Sequence, residues 1–363
     1  MKPLMRYFGW PIGLTVLGLA AALWLGVAVT GTISGGGAFF LIAAVLAFLE
    51  ISLSFDNAIV NANKLKYMSP AWRRRFLTWG ILIAVFGMRI IFPLAVVAVA
   101  AGIGPWSALV LAVSKPQEYS EIIRASHVSI SAFGGCFLMM VALSYFMDLE
   151  KEIDWVKAIE ERLRKWASIR GLEIAVVLLV AMGFTLLLPP EESAEFLFAA
   201  TCGLITFLGV ELLGHILDAS DGARDISAKG GVGAFLYLEV LDASFSFDGV
   251  IGAFALTQSL FLIAIGLGVG ALYVRAMTIM LVERKTLAQF RYLEHGAFYS
   301  ILVLSVIMFA QSMVHIPEAV TGLIGGTLIV LALYSSIRYN RQAGVRHAAD
   351  AETVPETGKQ PGT

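Results

Sequence analysis

Glu50-Ile51-Ser52-Leu53-Ser54-Phe55-Asp56-Asn57 lies inside an apolar stretch, and Asp242-Ala243-Ser244-Phe245-Ser246-Phe247-Asp248-Gly249 follows 192 residues later inside another. Both obey one pattern: acid, any residue, Ser, apolar, Ser, Phe, Asp, then Asn or Gly. A carboxylate is costly in a bilayer, so an acid at that depth marks a functional site by default. Two such pairs in one chain point to an internally repeated transporter with an ion site between its halves.

The rest of the chain suits that environment. It has 363 residues, of which 58% are hydrophobic and only 15% charged, with mean hydropathy +0.80. This is the composition of an all-α polytopic membrane protein. The net charge of −1 says nothing about nucleic acid, but the chain has no basic domain that would point to such a partner. Cys136 and Cys202 sit in apolar runs and read as small core residues, not as a disulfide or a thiolate metal site. Many of the 35 glycines fall in apolar segments, where small residues let helices approach.

A membrane span takes about 20 apolar residues. Ten segments qualify, near 8–29, 38–60, 76–101, 127–147, 173–188, 195–216, 232–256, 259–281, 297–315 and 318–338. Residues 1–30 read as a first transmembrane helix and not as a cleaved signal peptide, because the apolar run is long and no A-x-A site follows. Residues 38–147 form a first repeat and 173–338 a second half carrying the second motif. Between them, 148–171 reads as a cytoplasmic amphipathic connector with Trp155 and Trp166. The polar segment 342–363 reads as a disordered tail.

Loop charge sets the orientation. Lys64, Lys66 and Arg73–Arg75, then Lys151 to Arg170, then Arg284, Lys285 and Arg291, then Arg338, Arg341 and Arg346, all fall on one side if both termini are cytoplasmic. The second and seventh spans then run in opposite directions. Matching motifs on them imply an inverted-topology repeat. Arg89 follows the first motif and Arg275 the second, a weaker match of the same kind.

Helical geometry places the polar atoms. From Glu50, Ser54, Asn57 and Asn61 fall within about 40° of one line, whereas Asp56 lies about 120° away. From Asp242, Ser246 and Gly249 take the equivalent places, with Glu239 about 60° off. An unbroken helix would aim each motif's two acids at different neighbours. Local unwinding near each Ser-Phe pair would bring them together, as in other transporters with discontinuous helices. Glu50 and Asp242 both come out near mid-membrane.

The candidate ligands are all oxygens: Glu50, Asp56, Asn57, Asp242 and Asp248, supported by Ser54, Ser246 and Gly249. Such a set favours hard divalent cations such as Mn²⁺, Mg²⁺ or Ca²⁺, carried as substrate and not kept as a cofactor. Four carboxylates exceed the charge of one divalent ion. Protonation, or pairing with Arg89 deep in its span, would balance the excess and couple cation movement to protons. Arg275 falls near a cytoplasmic end and is expected to snorkel. Glu211 and His215 share a helix face and form an accessory candidate pair, while His127 and Glu294-His295 mark span ends.

The first motif, with the basic loop after it and Gly87-Met88-Arg89, resembles the signature of the TerC-like integral membrane proteins, a family named for tellurium resistance and related to the LysE-type exporters. The resemblance spans about 38–315. It implies inverted repeats with paired acidic motifs, metal-ion efflux with manganese as the favoured substrate, and residence in a bacterial inner membrane. By that likeness Glu50, Asp56 and Asn57 match the first motif and Asp242, Asp248 and Gly249 the second. The Asp and Gly of the second copy, and the long 102–126 and 148–171 segments, depart from the compact members.

Two other readings compete with efflux. A scaffold in a metal or tellurite stress-resistance complex, without flux of its own, would leave the motifs unexplained. An intramembrane aspartyl protease also needs two membrane aspartates, but neither Asp here lies in a G-x-G-D sequence. An oxyanion substrate would be repelled by the carboxylates.

Overall fold

A computed structural model describes residues 2–149, 151, 153–169, 171–220, 231–314 and 316–352. Among them there is no β-strand. The helices run α1 (Lys2–Thr30), α2 (Ile33–Leu53), α3 (Phe55–Leu65) and α4 (Pro70–Leu82). A π-helical segment (Ile83–Ile91) leads into α5 (Phe92–Ala100), followed by α6 (Pro105–Ser114), α7 (Pro116–Ala125) and α8 (His127–Phe146). The second half holds α9 (Lys157–Trp166), α10 (Leu172–Leu187), α11 (Pro190–Ser220), α12 (Val232–Leu256), α13 (Leu260–Glu283), α14 (Thr286–Gln289), α15 (Leu293–Gln311) and α16 (Glu318–Glu352).

Seven of these are long and apolar enough to cross a membrane: α1, α2, α8, α11, α13, α15 and α16. An eighth arises if Arg89–Ala100 and Pro105–Ser114, which meet at 104°, make one bent span. All ten expected segments are helical, but three fall short of the apolar criterion for separate reasons. At 16 residues α10 is short. The expected span 76–101 is divided by the π-helical segment. Every 18-residue stretch of α12 contains Glu239, Asp242 and Asp248.

Local chemistry sets the ends. The Thr32 side chain caps α2 by accepting from Gly35 N, and Ser69 and Ser259 cap α4 and α13 in the same way. Pro70 and Pro105 occupy first-turn positions, where the missing N–H costs nothing. The turn between α5 and α6 uses Gly102 at φ +63°.

Two expectations about the connecting segments change. The expected amphipathic connector 148–171 is not helical throughout: among its described residues the helix is Lys157–Trp166, and Trp155 precedes it. It docks on α15 through Glu160, which is fully buried. Glu160 accepts from the backbone N–H groups of Trp155 and Val156 and from the Tyr299 hydroxyl, and it pairs with Lys151. Burial pushes the Lys151 ammonium below the usual lysine range, and Glu160 works against that shift. The helix α16 continues to Glu352, past the expected start of the tail at 342, as its alanines and arginines favour. The expected tail beyond 352 lies outside the described residues.

The interior is built around α8, which packs against α11 and α15, and around α13, which packs against α1, α2 and the π-helical segment. Gly270 permits the second contact. A Cβ there would lie 2.3 Å from Cγ of Glu50, so α13 passes directly over the first motif. Gly270→Leu should therefore destabilise the protein by roughly 1–3 kcal/mol through overpacking. A thermal midpoint in detergent that matches wild type would count against this crossing.

Candidate ion-binding site

The site starts with a joint. Between α2 and α3 a single residue, Ser54, leaves helical geometry (φ −100°, ψ 21°). Its N–H still bonds the Glu50 carbonyl, and its own carbonyl accepts from Ala58 N. The first motif is thus kinked, as expected. The expected break in the second motif is absent: α12 runs through Ser246 without interruption. Ser244 is buried there, and its hydroxyl bonds back to the Val240 carbonyl within the same helix.

The leading acid of each motif, Glu50 or Asp242, has a buried arginine. Glu50 (7% exposed) meets Arg89 at 2.5 Å, and Arg89 projects from the π-helical segment. Such non-α turns recur at functional positions. Asp242 meets Arg275 of α13 at 2.9 Å, with Glu239 a further partner at 3.6 Å. Arg275 does not snorkel. It is 2% exposed, donates to the Gly80 carbonyl at 3.1 Å and lies 3.8 Å from the centre of the Phe76 ring. The expected snorkelling does not occur because α4 packs over Arg275, with Gly80 against its guanidinium.

The two motifs touch. Asn61 on α3 donates to Asp242 at 2.7 Å. A Cβ on Gly249 would lie 3.0 Å from Glu50 Oε2, so the second motif's glycine faces the first motif's acid. A cavity of about 20 Å³ lies between them, lined by Glu50, Asn57, Asp242, Ser246 and both arginines. The Ser246 hydroxyl is buried there without a hydrogen-bond partner. Asp56 points elsewhere, as its angular offset predicts. It accepts from Ser300 of α15 at 2.9 Å and from Asn57 N at 2.9 Å. Asp56 shares a second cavity, of about 60 Å³, with Glu50, Ser54 and Asn57. Glu50, Ser54 and Asn57 therefore border both spaces.

The chain belongs to the DUF475 family. That family is described as one of unknown function, and its match covers residues 55–343, taking in Asp56, Arg89, Asp242 and Arg275 and beginning just after Glu50. No curated protein and no solved structure matches the chain.

Other expected residues lie apart from this centre. Glu211 lines a separate cavity of about 440 Å³ with Lys64, Asp148, Tyr237 and Glu294. Glu294 pairs with Lys66 at 3.0 Å, and His295 bonds the Ile153 carbonyl of the connector. The side chains of His215 and Asp248 lie outside the described residues. Among the described residues no group of three or more His, Cys, Asp or Glu side chains could hold a metal ion. A cation here would take carboxylates mixed with neutral oxygens. Sequence alone missed the Arg275–Asp242 pair and the Ser300 contact. The similar spacing of each arginine from its motif was the available signal for the first; nothing in the sequence singles out Ser300.

Proposed function

We propose that this protein is a secondary transporter exporting a divalent cation, with Mn²⁺ favoured, by alternating access at the Glu50–Asp242 centre. The reading includes ten membrane-crossing helices in an inverted repeat, both termini in the cytoplasm, proton exchange, and kinship with the TerC-like proteins. The observation that carries it is the doubled acid–arginine pair. Burying two such pairs at facing positions costs desolvation that packing alone does not require. A transporter has a use for them. The guanidinium neutralises each carboxylate when no cargo is present, and an arriving cation competes for the same oxygens. Protons can balance the remaining acids, Asp56 and Glu239. A scaffold without flux gives these groups no role.

The test is metal uptake into proteoliposomes with wild type, Glu50→Gln and Asp242→Asn. Wild type is expected to move Mn²⁺ and to respond to a proton gradient. Each variant is expected to lose about 100-fold in flux, the equivalent of roughly 2.7 kcal/mol of cation stabilisation. Equal Mn²⁺ flux through all three proteins would refute the assignment.

A further inference from the structure

We propose that the cation rests in the 60 Å³ cavity on the α15–α16 side of Glu50, with Ser300 and Thr321 as ligands alongside Asp56, Glu50 and Asn57. This rests on the transport reading above and gives the cargo a resting position at the Glu50 end of that centre, away from Asp242. Neither Ser300 nor Thr321 belongs to a motif. They bring two further helices to the first motif and none to the second.

Charge is the first argument. The smaller cavity is bordered by Arg89 and Arg275, whose positive charge opposes a cation. Neither arginine lines the larger one, which holds Asp56 and Glu50. At roughly 10–15 Å³ per water-sized position, 60 Å³ admits a small ion with a few waters, whereas 20 Å³ admits about one position.

Ligand chemistry is the second. Thr15, Thr30, Thr185, Thr201, Thr206 and Thr327 each donate to the carbonyl four residues back in their own helix. Thr321 does not. Its hydroxyl is buried without a hydrogen-bond partner and lines this cavity, while its backbone N–H takes the Pro317 carbonyl. Ser300 spends its proton on Asp56, which leaves its oxygen lone pairs available. Serine and threonine hydroxyls serve as ligands for hard cations elsewhere. Two carboxylates, one amide and two hydroxyls also agree with the lack of any triple acidic cluster among the described residues.

Space is the third. A Cβ on Gly325 would lie 2.5 Å from the Ser300 hydroxyl and 3.7 Å from Asp56 Oδ2; one on Gly322 would overlap Leu53 at 1.7 Å. The glycine face of α16 is what brings Thr321 over the kink. Leu46, Leu53, Phe245 and Leu304 form an apolar wall beside these oxygens.

The experiment replaces Thr321 with cysteine and uses Cd²⁺ as a thiol-seeking probe. Purified Thr321→Cys should show a cadmium–thiolate absorption band at least tenfold lower in Cd²⁺ concentration than wild type, which carries Cys136 and Cys202 as the baseline. Thr327→Cys, exposed on the same helix, should match wild type. Adding Glu50→Gln to Thr321→Cys should weaken the band. In proteoliposomes Thr321→Val should raise the KM for Mn²⁺ about tenfold with kcat within twofold. No gain of Cd²⁺ binding over Thr327→Cys would overturn the site. The band does not depend on flux, so it decides the site even if wild type carries no Mn²⁺, a result that would defeat only the transport reading. An unchanged KM in Thr321→Val beside intact flux, with Glu50→Gln inactive, would overturn the ligand assignment alone.

Discussion

Arg275→Leu should destabilise the protein by roughly 3–5 kcal/mol, because it removes the guanidinium that pairs with buried Glu239 and with Asp242, whose side chain is 11% exposed. Asp242 would keep the Asn61 amide, but neither oxygen of Glu239 has a hydrogen-bond partner even now. The loss should not be additive. In the Arg275→Leu background, Asp242→Asn should recover part of it, since a neutral amide no longer needs the guanidinium. Arg275→Lys should fall between: the charge stays, but the Phe76 stacking and the reach to the Gly80 carbonyl are lost. Thermal midpoints of the detergent-solubilised variants measure all three. A wild-type midpoint for Arg275→Leu would mean that the second motif carries no such pair.

The second large effect lies at the connector. Glu160→Ala leaves the Lys151 ammonium, 8% exposed, without its acid and strips an acceptor from two backbone N–H groups. A stranded buried charge costs about 3–5 kcal/mol. Glu160→Gln should cost less, because its amide oxygen can still accept from Trp155 and Val156. Glu161→Ala, on the exposed face of the same helix, should stay within about 0.5 kcal/mol of wild type. Limited proteolysis of residues 148–171 reads this directly. Cutting should speed up most in Glu160→Ala, less in Glu160→Gln and not in Glu161→Ala. Equal rates in all three variants would show that Glu160 does not hold the segment down.

Much of the architecture was legible because bilayer physics is strict. Runs of apolar residues marked where helices lie, and the acids within them marked the centre. The helix is interrupted at Ser54, but not to the end that helical periodicity suggests: Asp56 turns away to Ser300 on α15. At Ser246 α12 stays regular. A period-based argument sees only one helix and not the neighbours that supply partners. Arg275 was misjudged for a related reason. Depth was counted from the ends of its own segment, whereas its burial comes from Phe76 and Gly80 on α4. The connector hid its fold in another way: a fully buried glutamate in a charged stretch looks like any solvated one until Lys151, the Trp155 and Val156 N–H groups and the Tyr299 hydroxyl are in place.

The single-residue joint at Ser54 has a mechanical corollary. Swinging α2 relative to α3 turns about a point where regular geometry has already lapsed. The same swing in α12 would have to rupture intact ladder bonds, each worth about 1 kcal/mol net and more where water cannot replace it. The two motif helices therefore differ in stiffness while agreeing in charge. A bend at the first motif would fall beneath α16, where Thr321 and Gly322 border it.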